Sequence, residues 1–452
     1  MQIVAQEIPH WPVAAWFAEW QPGGDVLHVF HGEDVVVQRD RLFEGVWDGS
    51  FEEAEFQASS AFCGTGLVVT GDDVHLIPPF HPQERIYYSG TLYRNRRCAS
   101  NSLLCWLTQT GETLDLAWPD YYADLLQILR QGQTPALPSI RLTGGRAVQL
   151  VELSGWATQA GRRLPPRKGP AFEADFAGYR SFLAGQIRAL SNNATQRPRP
   201  KRLATALSKG FDSVAISVLA AEAGVNQALT FTMKEDARDI GAKLGLSVVA
   251  KGQPEVAAVG SQREFFLLCF GKNRALSAFE AEHRDAMLFS GHGGDDVWGT
   301  QMAFHGGQNL ARPRDRVVVG NSYAEYRLRL GLVIVPTCLL GQWHWPSIAT
   351  ISHLPAMHSF RDGHYSRPIA RRIGMEAGLQ RSEFAASKAK GEITEPEQMC
   401  PQDDTAYQSF LAQYVKGDLT RTSLPYEVKH HRSIYRWMSH WVATDLADRY
   451  KH

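Results

Sequence analysis

Hydrophobic and polar positions alternate in short runs through the first third of the chain. Asp25-Val-Leu-His-Val-Phe-His31, Gly66-Leu-Val-Val-Thr70 and Asp73-Val-His-Leu-Ile-Pro78 read as strands separated by Gly and Asp turns. Helical spacing follows over residues 100–108 and 119–131, so this part is a strand-led α+β domain. Pro-rich basic stretches at Arg162-Arg-Leu-Pro-Pro-Arg-Lys-Gly-Pro170 and Gln196-Arg-Pro-Arg-Pro-Lys-Arg202 punctuate the chain, with a helix over 171–192 between them. Beyond the second the rhythm changes. Arg202-Leu-Ala-Thr-Ala-Leu207, Ala228-Leu-Thr-Phe-Thr-Met233 and Leu246-Ser-Val-Val-Ala250 are apolar strands. Between them lie helical stretches over 213–223 and 235–244, closed by Gly224 and Gly245. This alternation predicts an α/β domain built on a doubly wound parallel sheet, preceded by a smaller α+β domain; we place them at residues 171–452 and 1–165.

Length and composition agree with two domains of a globular enzyme: 452 residues, 44% apolar and 21% charged. Lys plus Arg and Asp plus Glu both total 47, which disfavours a nucleic-acid partner bound by phosphate neutralisation. Six scattered cysteines without a C-x-x-C pair suggest neither a zinc site nor a disulfide framework, and fit a reducing cytoplasm. The N-terminal residues lack a secretory pattern, and Leu332-Val-Ile-Val-Pro-Thr-Cys-Leu-Leu340 is far short of the ~20 residues of a membrane helix. It reads as a buried strand and its exit, and no membrane partner is expected.

Ligands of doubly wound sheets sit beyond the carboxyl ends of the strands, so the loop after the first of them matters most. Leu207-Ser-Lys-Gly-Phe-Asp-Ser213 offers an anion cradle: hydroxyls from Ser208 and Ser213, a glycine at 210, and free N–H groups at the start of a helix. Asp212 would repel a phosphate unless a cation such as Mg²⁺ lay between them. A plain strand-to-helix turn with Ser and Asp as caps is the alternative. Downstream, the apolar run 287–289 opens into Ser290-Gly-His-Gly-Gly-Asp-Asp-Val-Trp-Gly299, with glycines for close backbone approach and Asp295 placed to hold a metal.

The first loop resembles the S-G-G-x-D-S pyrophosphate loop of N-type ATP pyrophosphatases, with Lys209 in place of the second Gly. The second resembles the S-G-E-G-x-D-E-x-x-G motif of the asparagine synthetase family. Ser290, Gly291, Gly293, Asp295 and Gly299 match, Asp296 stands for Glu, and His292 replaces the first Glu. The resemblance covers roughly residues 171–395. It implies that Ser208, Lys209, Gly210, Asp212, Ser213, Ser290, Gly291 and Gly293 bind ATP, with Thr232 and Met233 beside the adenine. It implies Mg²⁺ on Asp212 and Asp295, and an AMP- and pyrophosphate-forming amide ligase acting on a small-molecule carboxylate with ammonia or an amine. A peptide or carrier-bound substrate and a homodimer are left open. Family members place a lysine after the helix at 365–378; Lys388 is the first choice and Lys390 the second. β-Lactam synthetases carry a Tyr active in proton removal at the position of His292, whose imidazole suits a general base, with Glu325 as its orienting partner.

Asparagine synthetases begin with a glutaminase domain whose nucleophile is a cysteine directly after the initiator Met. Residue 2 here is Gln2, and the nearest cysteine, Cys63, reads as a buried strand residue. The family resemblance then implies a first domain like a degenerate Ntn glutaminase, as in the β-lactam synthetases, with a structural or docking role. Intramolecular closure of the β-lactam synthetase kind, a catalytically degenerate nucleotide-binding module, and a less favoured tRNA-modifying pyrophosphatase are the competing readings.

Overall fold

The computed structural model describes residues 1–115, 137–259, 263–265, 274–300, 323–361, 366–385, 405 and 442–451. Of the expected elements, the helix at 119–131 lies outside these residues, as do Lys388 and Lys390.

The alternating N-terminal runs form β1 (Gln2–Glu7), β2 (Trp16–Trp20), β3 (Val26–His31), β4 (Val36–Val37), β5 (Arg41–Val46), β6 (Cys63–Thr70) and β7 (Asp73–Ile77). They continue as β8 (Ile86–Tyr88), β9 (Arg97–Ser100), β10 (Ser139–Arg141), β11 (Ala147–Val151), β12 (Trp156–Ala157) and β13 (Arg162–Arg163). A seven-stranded sheet runs in the order β1-β3-β2-β9-β8-β11-β10, and a six-stranded sheet in the order β13-β12-β7-β6-β5-β4. The period-two pattern explains how they meet. Leu42, Leu67, Val74 and Leu76 of one sheet share a core with Trp16, Ala18, Leu27 and Val29 of the other, while Phe43 and Val68 face an aromatic cluster with Trp47, Phe51 and Phe56 on the far side. The helix Leu103–Thr110, capped by Ser102 and closed by Gly111 in the left-handed region, packs with Leu446 and Tyr450 against the opposite face of the larger sheet.

The third sheet is parallel, with the order β16 (Ser247–Lys251), β15 (Gln227–Phe231), β14 (Arg202–Leu207), β17 (Ala286–Ser290) and β18 (Val333–Pro336). Its strands are apolar on both faces because both are covered. Met287, Phe289, Val333 and Val335 join the core under the helices Phe176–Thr195, Phe211–Glu222 and Pro368–Glu376; Ala286, Leu288, Leu332 and Ile334 join Phe279 and Tyr326 on the other side. The helix expected over 235–244 begins only at Arg238, because Asp236 Oδ1 accepts from Arg238 N at 3.0 Å and makes a turn first. Among the described residues no helix is long and apolar enough to cross a membrane.

One ion cluster ties the N-terminal sheets to the parallel sheet. Arg327, in the helix Ala324–Leu330, donates to both oxygens of Glu44 at 2.7 and 2.8 Å and lies 3.0 Å from Glu84. The three side chains are no more than 5% exposed, so the guanidinium keeps two desolvated carboxylates tolerable. Burial pushes Glu84 up, opposed by Arg327, while Arg327 with hydrogen bonds from Thr65 outweighs burial at Glu44 and lowers it. Arg327→Met should therefore destabilise the chain by about 3–5 kcal/mol. Urea unfolding of the variant beside the parent measures this, and a difference under about 1 kcal/mol, the surface-pair value, would show that the cluster anchors nothing.

Candidate functional site

Parallel strands deliver their following loops to one edge of the sheet, and β14 lies beside β17 with Thr205 opposite Phe289. The loops carrying Ser208–Ser213 and Ser290–Asp295 therefore become neighbours. The first is shaped by its own hydroxyls. Ser213 Oγ accepts from Ser208 N at 3.1 Å and lies 2.7 Å from Ser208 Oγ, which accepts from Gly210 N at 3.2 Å. Gly210 caps the helix Phe211–Glu222 at φ −66°, so this turn needs no left-handed glycine and Lys209 fits it without strain. The helix points its first N–H groups and positive dipole end into the loop.

The second loop does need its glycines. Gly293 sits at φ 82°, and a Cβ there would come within 2.7 Å of Leu339. A Cβ on Gly291 would fall 2.7 Å from Ser213 N, and one on Gly294 only 2.3 Å from the carboxyl carbon of Asp212. The glycines thus let the second loop lie directly on the first, and they seat Asp212 against Gly294.

Asp212 and Asp295 converge on one cation, Arg367, from the residue just before the helix Pro368–Glu376. Its Nη2 donates to Asp295 Oδ1 at 2.5 Å and its Nε lies 3.9 Å from Asp212 Oδ1. Two hard carboxylates sharing one cation, with Gly294 leaving Asp212 its space, fit a Mg²⁺ bound jointly by protein and phosphate oxygens. Among the described residues no three His, Cys, Asp or Glu side chains form a metal-binding group.

Above the loops lies a cavity of about 350 Å³, within the range of small-molecule sites. Ser208, Gly210, Asp212, Ser213, Ser290, Gly291, His292 and Asp295 line one part of it; Ala206, Leu229, Phe231, Leu276, Phe279, Leu288 and Ile334 line another. An apolar compartment joined to a phosphate-type loop suits a nucleotide. Phe231 and Phe279 meet edge to face there, their ring centres 4.9 Å apart.

Not every expected residue arrives. Phe231, rather than Thr232 or Met233, borders the cavity, and Gly293 acts through the backbone turn. Lys209 does not line it either: its charge acts on Asp236 and Glu383, and its carbonyl accepts from Ala385 N at 2.9 Å. Glu325 is no partner of His292. Both its oxygens accept from Ser102 Oγ at 2.9 Å, and one accepts from Tyr450 OH at 2.7 Å, so it stitches three distant segments together in the interior. Burial raises its pKa and these hydrogen bonds oppose the rise.

Three residues in the cavity wall carry no sequence signal. His283 accepts or donates a hydrogen bond with Tyr326 OH at 2.9 Å, and burial lowers it to about 4, so it is neutral at physiological pH. Tyr323 lines the same space. The third, Gln83, comes from the N-terminal sheets, on a strap held by Glu84 to Arg327 and by Phe80, whose carbonyl accepts from Gln342 Nε2. The strap also carries His81, which burial, with the charges of Arg327 and His292, lowers to about 3. Gln83 is 1% exposed, and neither amide atom has a hydrogen-bond partner among the described residues. Left unpaired, such a group costs about 1–3 kcal/mol, and it is free to pair with what enters the cavity. Gln83→Met should raise the urea midpoint of the ligand-free protein; a lowered midpoint would mean that the amide is structurally paired.

No protein-family model matches the chain, and no curated protein matches it.

Proposed function

We propose that this chain is an ATP-dependent carbon–nitrogen ligase of the asparagine synthetase type, forming AMP and pyrophosphate as it joins a carboxylate to ammonia or an amine. The observation that carries this reading is the closure of two loops, from β14 and β17, over one cavity with Asp212 and Asp295 converging at its floor. In this reading the parallel sheet belongs to the ATP pyrophosphatase fold and the N-terminal sheets are a degenerate glutaminase. Cys63 supports the second part: it is 1% exposed and burial drives its thiol well up, so it is no nucleophile.

ATP is a substrate here. The helix N-terminus after Gly210, with Ser208 and Ser213, holds its phosphates, and the apolar wall at Phe231 and Phe279 takes the base. Asp212 and Asp295 would hold Mg²⁺, which would supply positive charge against the charge gathering on the leaving pyrophosphate. The substrate carboxylate attacks the α-phosphorus and pyrophosphate leaves. The amine then attacks the acyl carbon, its proton passes to His292, and AMP leaves. Lys388, with Lys390 as second choice, remains the candidate for charge stabilisation in that step.

The nucleotide products should be AMP and pyrophosphate, and Asp212→Asn or Asp295→Asn should each lower turnover about 100-fold or more at limiting Mg²⁺, as loss of a principal electrostatic stabiliser does. Chromatography that finds ADP and phosphate instead would sink the proposal. His292→Ala should retain carboxylate-dependent exchange of labelled pyrophosphate into ATP while amide formation falls about 100-fold. The acid limb of its pH–rate profile should also disappear. Equal loss of both half-reactions would remove His292 from the proton-transfer role.

A further inference from the structure

The carboxylates assigned to the metal already share a cation. Arg367 binds Asp295 at 2.5 Å and faces Asp212 at 3.9 Å. Its guanidinium is enclosed: a Cβ added to Gly299 would lie 3.2 Å from its Nη1, so Gly299 makes room for it. The arginine side chain is 12% exposed, against 14% and 34% for the two aspartates, so solvent screens these charges only in part.

We propose that Arg367 makes metal uptake conditional on nucleotide. The inference rests on reading this cavity as a site for ATP and Mg²⁺. With Arg367 in place both carboxylates already face a guanidinium, and a divalent cation arriving alone meets a fixed positive charge at contact range. A nucleotide changes the balance, because its phosphates bring several negative charges into the same space. The planar fork of a guanidinium suits phosphate oxygens as well as carboxylates, so Arg367 has an anionic partner to move to when the metal takes Asp212 and Asp295. Free metal is thereby kept out of the empty site, and the loops stay together without it.

The test is Mn²⁺ binding, followed by electron paramagnetic resonance on the full chain without nucleotide. Arg367→Met should bind Mn²⁺ about tenfold tighter than the parent, or more, since a like charge beside the carboxylates has gone. Adding Asp295→Asn to that variant should abolish the gain. A parent and an Arg367→Met protein of equal Mn²⁺ affinity would overturn the proposal, as would a gain that persists with Asp295→Asn. If Arg367→Met does not fold, Arg367→Gln decides: it keeps a polar side chain but removes the charge, so its Mn²⁺ affinity should lie several-fold above the parent, and an unchanged affinity counts against the proposal. No ATP enters these measurements, so failure here stands apart from failure of the ligase reading, which shows as a parent protein that neither binds nor cleaves ATP.

Discussion

Parallel pairing of β14 with β17 is the constraint on which the candidate site depends. Each strand is followed by a short loop, and only a parallel arrangement sends both loops to the same edge. The register sets Thr205 against Phe289, so Ser208 and Ser290 leave the sheet side by side. The glycines of the second loop then convert proximity into contact. At Gly291 and Gly294 any side chain would collide with the backbone of Ser213 or the carboxylate of Asp212. The pairing is buried on both faces, under the helix Phe211–Glu222 on one side and Phe279 with Tyr326 on the other, and this holds the loops to a fixed spacing.

The N-terminal sheets are fastened to this site rather than merely adjacent to it. Arg327 reaches from the helix before β18 to Glu44 and Glu84, and the strap beside Glu84 brings Gln83 to the cavity wall. Glu325 makes a second tie through Ser102 and Tyr450. A buried ion cluster of this sort adds little stability compared with a well-packed apolar one, but it tolerates very little displacement. Its geometric demand suits a domain whose contribution is to place a wall with a polar group in it.

Much of the parallel sheet was legible in the chain because its signals are local. Arg202–Leu207 has the bounds that its apolar run suggests, and the loop after it carries its hydroxyls and glycine within seven residues. The second loop was legible for the same reason. Local reading failed where a role depends on what a side chain meets. Glu325 belongs to an interior junction with Ser102 and Tyr450 rather than to His292, and Lys209, in the loop after β14, is absent from the cavity lining.

Residue type and short-range spacing along the chain were enough to set where strands alternate with helices and which loops carry hydroxyls, glycines and carboxylates. Tertiary structure alone decided that Arg367 would stand between Asp212 and Asp295, that Gln83 would reach the cavity from the other end of the chain, and that Phe231 rather than Thr232 would face it. The physical reason is that charge pairing and burial are set by through-space distances of a few ångströms, and separation along the chain places no limit on which residues the fold brings that close.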